Sequence, residues 1–124
     1  MEKIDELSGA IIGAAIEVHR HLGPGMLESV YEECLSYELT NQGLTTKRQQ
    51  AVPVIYKGIA LDCGYRLDLL VENQIVVELK TVDVLLPVHH AQILTYMKFA
   101  HKHVGLLINF NTTLLKKGLK RFRL

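Results

Sequence analysis

Arg66-Leu67-Asp68-Leu69-Leu70-Val71, then Glu72-Asn73-Gln74, then Ile75-Val76-Val77-Glu78-Leu79-Lys80 is the stretch whose reading decides the fold. Both six-residue runs are rich in Val, Ile and Leu, and the three residues between them are turn formers, so the pattern predicts two short β-strands joined by a tight reversal. An interior strand offers a charge no inexpensive place. Asp68, Glu78 and Lys80 therefore need a reason. Alternation along a strand puts Glu78 and Lys80 on one face. A three-residue loop sets Asp68 opposite Glu78 and Arg66 opposite Lys80. A plain two-residue turn at Asn73-Gln74 pairs Asp68 with Leu79 and sends the two acids to opposite faces. A three-residue loop, or a two-residue turn with a bulge, is thus expected. Two facing carboxylates repel unless a cation lies between them. A cross-strand ion-pair cluster around Lys80 is one arrangement that satisfies them; a divalent-metal site with the lysine beside it is the other.

Working outward, Leu7, Ile11, Ala14, Val18 and Leu22 recur at helical spacing and predict a first amphipathic helix, ended by Gly23-Pro24-Gly25. A second helix is expected from about Met26 to Asn41, closed by Gly43. Leu27, Tyr31, Cys34, Leu35 and Leu39 share its apolar face, and Glu28 falls inside that arc. Glu28 is either a helix-start acid, favoured by the exposed N–H groups, or a carboxylate aimed at the site. Thr46–Tyr56 reads as extended, with Lys57-Gly58 turning the chain into Ile59–Cys63. Pro87 opens a helix to roughly Lys102, on which His89, Gln92 and Tyr96 form a polar stripe. Val104–Phe110 is a nearly all-apolar strand expected to be buried on both faces, and Leu119–Phe122 adds an edge strand. The order helix, helix, strands, helix, strand predicts an α/β chain of the α+β type: a mixed sheet flanked by helices, in a single domain over residues 1–124.

The chain of 124 residues is 48% hydrophobic with formal net charge +1. It has no apolar run near the roughly 20 residues needed to cross a bilayer. Met1–Glu6 lacks the apolar stretch of a secretion signal, and Cys34 and Cys63 have no paired spacing, so buried thiols in the cytoplasm are expected. Five of the fourteen Lys and Arg lie in residues 116–124, leaving nine bases against thirteen acids elsewhere. That basic edge is suited to phosphates. The histidine pairs His19/His21, His89/His90 and His101/His103 have no zinc-ligand spacing. No phosphate-binding glycine loop or nucleophilic serine elbow is present.

Gly25-Met26-Leu27-Glu28-Ser29-Val30-Tyr31 resembles the signature of the GxxExxY proteins, a family of the PD-(D/E)XK nuclease-like superfamily. The resemblance extends from about Ile11 to Phe110. It includes His19 with Leu22-Gly23-Pro24-Gly25, Arg66-x-Asp68, Glu78-Leu79-Lys80, Gln92 with Tyr96, and Leu107-Ile108-Asn109-Phe110. Leu67 stands where the name-giving motif has proline. The resemblance implies a restriction-endonuclease-like core. It places Asp68 at the metal-binding aspartate, Glu78 and Lys80 at the (D/E)-x-K pair, Glu28 at an extra helix carboxylate, and Gln92 and Tyr96 at a Q-x-x-x-Y element. Asp68, Glu78, the Leu79 carbonyl and Glu28 are the expected ligands of Mg²⁺ or Mn²⁺. Lys80 assists the attacking water, while Arg66 and Tyr31 are expected at the substrate. The implied activity is hydrolysis of nucleic-acid phosphodiesters, DNA before RNA, by a nuclease that is possibly a homodimer. An inactive nuclease-fold binding module and a hydrolase of a small phosphorylated molecule are the alternatives.

Overall fold

In the structure, a computed structural model, residues 2–124 are described, apart from the side chains of Glu2 and Cys63, so the buried thiol expected at Cys63 lies outside the described residues. Helices α1 (Glu2–Leu22) and α2 (Glu28–Asn41) precede strands β1 (Thr46–Tyr56), β2 (Ile59–Val71) and β3 (Ile75–Lys80). Helix α3 (Pro87–Ala100), β4 (Val104–Asn109), a single 3₁₀ turn (Leu115–Gly118) and β5 (Leu119–Arg123) complete the chain. The five strands lie in sequence order across one sheet. Only β3 and β4 run parallel, with α3 as their crossover. This is the helix-flanked mixed sheet that the order of elements predicts. The strand expected at Ile59–Cys63 is not separate, because it continues into Arg66–Val71 as one 13-residue strand.

Alternation along the strands divides the core into two layers. Val77 and Leu79 of β3, with Leu106 and Ile108 of β4, pack under Ile11, Ala15 and Val18 of α1 and Tyr31 and Leu35 of α2. Val76 and Leu107 point the other way, onto Ile93 and Met97 of α3. Strand β4 is buried along its whole length, as its apolar run predicts for a strand covered on both faces. At Gly105 an added Cβ would stand 2.6 Å from the Met97 sulfur, so only glycine lets α3 lie this close to β4.

The turn between β2 and β3 settles the register. Glu72 and Asn73 both have left-handed φ (+52° and +55°), and Gln74 N donates to Val71 O at 3.0 Å. Val71 nonetheless pairs with Ile75, so Gln74 is the extra, bulged residue. The effective loop is three residues, and it places Glu78 in line with Asp68. The expected pairing of Arg66 with Lys80 does not form, since the β2–β3 ladder ends at Leu69 and Val77.

Candidate functional site

Beyond Leu69 and Val77, carboxylates take over the role of backbone carbonyls. Asp68 N donates to Glu78 Oε2 at 2.9 Å, and Leu79 N donates to Asp68 Oδ2 at 2.8 Å. The two acids thus part β2 from β3 and hold the gap open. A ladder hydrogen bond has no room in that gap, which is why Arg66 loses Lys80 and pairs only with Ala51 of β1. Its guanidinium, exposed, donates to Gln49 O at 3.0 Å.

Strand β2 also turns over here. Leu67 packs on the α3 layer, yet Leu69, two residues on, packs on the α1–α2 layer. Across from Asp68, between the pairs Arg48–Leu69 and Gln50–Leu67, sits Gln49 with φ +51°. Such a conformation is costly for a residue with a side chain and clusters at functional sites. The Gln49 amide donates to Glu32 Oε1 at 2.6 Å and more weakly to Asp68 Oδ1 at 3.4 Å. Glu32 is buried on α2 and also accepts from Arg48 Nε at 3.1 Å.

On the other side, Lys80 Nζ donates to Gln92 Oε1 of α3 at 2.8 Å. Tyr96, one helical turn on, stacks against Tyr65 with ring centroids 4.1 Å apart. Tyr65 is itself tied to Thr95 O at 3.2 Å. His89, from the same predicted stripe, turns back instead, and its Nδ1 accepts from Leu86 N at 2.9 Å at the start of α3.

The electrostatics follow from burial. Glu78 is 3% exposed, and its carboxyl is pushed up to about 8 by burial and then by Asp68. Burial also raises Asp68, with Glu32 and Glu28 adding repulsion against the lowering effect of the Leu79 amide. Tyr96 rises too, through burial and then the charges of Glu78 and Asp68, so its hydroxyl stays a donor at neutral pH.

The structure brings Asp68, Glu78, Lys80, Gln92 and Tyr96 together. Glu28 stands exposed in the first turn of α2, near enough to raise both acids. It does not complete a three-carboxylate cluster, for among the described residues no three His, Cys, Asp or Glu side chains are grouped to hold a metal ion. Tyr31 does not reach a substrate surface. It is fully buried, stacks on Phe110 at 4.3 Å, and its hydroxyl donates to Gly23 O while accepting from Met26 N at 3.2 Å. The Gly-to-Tyr end of the signature is therefore a brace on the α1–α2 turn. His19 serves the same corner, with Nε2 2.7 Å from Thr112 O.

Glu32, Gln49 and Tyr65 are site residues that the sequence reading misses. Glu32 had a signal: it lies four residues after Glu28, on the same helix face. Gln49 had none, since nothing in Arg48-Gln49-Gln50 marks a left-handed residue inside a strand.

A family model described as the PD-(D/E)XK nuclease superfamily matches residues 5–122. The chain belongs to that superfamily. Comparison with curated proteins and with solved structures gives no match. Superfamily membership gives the chain a nuclease-type framework, and such nucleases generally use divalent metals. Among the described residues, no helix is long and apolar enough to cross a membrane.

Proposed function

We propose that this chain is a divalent-metal-dependent nuclease whose centre is the gap that Asp68 and Glu78 open between β2 and β3. The observation that carries the reading is this pair of converging, largely buried carboxylates beside a lysine held by Gln92 instead of by either acid.

The residues fit a divalent cation. Two buried acids held close without a compensating cation is an expensive arrangement, and Glu78 accordingly favours its protonated form. Mg²⁺ is satisfied by one or two carboxylates with water in its other positions. A third acid is not required. Asp68 and Glu78 would hold the ion. The Leu79 carbonyl is on the same side of β3 as the Leu79 N–H, which faces Asp68, so it supports the expected third oxygen. Glu28 is the acid free to join through water. When bound, the cation supplies charge stabilisation for a phosphodiester and makes a nearby water more acidic.

The chain's own groups do the rest. Gln92 fixes the Lys80 ammonium, which orients the attacking water and balances negative charge as it forms. Tyr96, braced by Tyr65, presents a hydroxyl donor to a phosphate oxygen or to that water. Arg66 is exposed at the mouth of the gap, where a guanidinium can meet a phosphate. DNA is proposed before RNA.

The absence of a three-acid cluster favours one rival, a non-catalytic binding module on the same framework. The deciding experiment uses purified protein with Mg²⁺ or Mn²⁺ on single-stranded, duplex and branched DNA and on RNA. EDTA should abolish cleavage. Lys80→Ala should retain Mn²⁺ binding by calorimetry while turnover drops by a factor on the order of 10² or more. Cleavage that persists in both controls points to a contaminant. No cleavage on any substrate, with Mn²⁺ bound, establishes the rival.

A further inference from the structure

The basic residues at the end of the chain are sorted by strand alternation into two groups with different surroundings. Arg121 and Arg123 turn to the α1 side, where Asp5 pairs with Arg121 at 2.6 Å and with Arg123 at 3.6 Å. Lys120 turns the other way, on the same face as Phe122, which packs on the α3 layer. Lys120 and Lys117 line a cleft of about 400 Å³ with Asp83, His90, Asn109 and Thr112. Neither lysine forms an ion pair among the described residues.

The cleft is built, not merely left between elements. Its floor is Asn109, 2% exposed, whose amide oxygen accepts from Val82 N at 3.1 Å and from Asn111 N at 3.2 Å, while its nitrogen donates to Val82 O at 2.8 Å. Over it, the 3₁₀ turn approaches so closely that a Cβ at Gly118 would lie 2.3 Å from Asn109 O. That contact fixes Lys117 at the rim. In the wall, the His90 ring meets Phe122 edge-on, at 5.5 Å between centroids, and its Nε2 is buried with no hydrogen-bond partner. Two lysines against one acid leave the lining with a net charge of +1, counting His90 as neutral. Fixed positive charge beside a buried nitrogen that needs a partner suits an oxyanion.

The register relates this cleft to the carboxylate gap. Glu78 pairs with Leu107, and Leu107 with Lys120, so the three stand in one row across the sheet. All three face α3. Two strand spacings separate the backbone of Glu78 from that of Lys120, about 10 Å. Helix α3 begins between them.

We propose that the cleft of Lys117, Lys120 and His90 is a second phosphate subsite, which holds a backbone phosphate of the strand cut at Asp68 and Glu78. The strand crosses the first turn of α3 between the two. This rests on the nucleic-acid reading above, and it adds a direction: substrate runs across the sheet from β3 toward β5. His90 donates from an Nε2–H, and the lysines supply charge.

The test is fluorescence anisotropy of a labelled single-stranded DNA in EDTA, where nothing is cut, across a series of salt concentrations. For wild type and Lys98→Ala, a lysine at the far end of α3, the slopes of log affinity against log salt should agree. Lys117→Ala/Lys120→Ala should flatten the slope by about 1.4, from roughly 0.7 per lost phosphate contact on a single strand, with Mn²⁺ binding and Tm unchanged. Equal slopes for wild type and the double variant overturn the subsite and leave the nuclease reading standing. In parallel, the His90 ring resonances are followed by NMR during titration with inorganic phosphate. A shift in wild type that the double variant lacks supports the oxyanion site. No shift in wild type overturns it. If wild type binds no oligonucleotide, the nucleic-acid reading falls, and the phosphate titration alone decides whether an oxyanion site remains.

Discussion

The β2–β3 hairpin has two halves that obey different rules. Near the turn, Leu69, Leu70 and Val71 pair with Val77, Val76 and Ile75, and every side chain there is buried and apolar. One residue further from the turn, the ladder stops, and Asp68 and Glu78 bond to the backbone of the opposite strand instead. One half gains stability by excluding water and pairing backbone with backbone. The other gives up that pairing to hold two acids in a gap. The closed half is what makes the open half tolerable, since three tight pairs fix the register that aligns the acids.

The largest effect should come from loosening the closed half. Leu69 is fully buried, and Leu69→Ala should cost about 2–5 kcal/mol of stability by denaturant titration. Mn²⁺ affinity per folded molecule should stay near wild type if the register survives. Loss of Mn²⁺ binding from protein that is still folded would show that the two halves are not separable.

A smaller effect separates the halves by pH. Glu78 is raised from 4.5 to about 8, so folded protein keeps a proton that the unfolded chain has released. Its contribution to stability is therefore complete below about pH 4.5 and is lost as pH rises toward about 8. Without metal, Tm of wild type should fall from pH 5 to pH 8.5 by about 3 °C or more relative to Glu78→Gln. Added Mn²⁺ should remove most of that difference. Parallel Tm curves for the two proteins would mean that the open half carries no titrating cost.

The smallest effect belongs to the residue facing the gap from β1. Gln49→Gly relieves the left-handed backbone and removes the amide that bridges Glu32 and Asp68. With Asp68 Oδ1 released, Mn²⁺ affinity should rise by roughly 2–10-fold, the worth of one net hydrogen bond. Weaker binding would instead make the bridge a support for the metal-ready geometry.

Much of this hairpin is legible in the residues themselves. Alternation puts Glu78 and Lys80 on one face, and the need to bring two acids together fixes an odd loop, which the bulge at Gln74 supplies. Asp68, Glu78, Lys80, Gln92 and Tyr96 come together because each lies on a periodic element whose phase can be counted. The parting of the strands is not legible. A pattern of hydrophobic residues cannot tell a backbone acceptor from a carboxylate that replaces it, so Arg66 was assigned a partner across a ladder that does not exist. Gln49 enters through a backbone torsion that glutamine rarely adopts. Tyr31 was misplaced for a different reason: in a signature, a residue that braces a turn looks the same as one that meets a substrate.

The N–H groups of Asp68 and Leu79 differ from other strand amides in having an ionisable acceptor. Their chemical shifts and exchange rates should follow the charge on Glu78 and Asp68, whether that charge is set by a proton, by the Gln49 amide or by an ion. A ¹⁵N spectrum would resolve the two acids separately, without a label or an activity. Two backbone protons thus report, one acid each, on what occupies the gap.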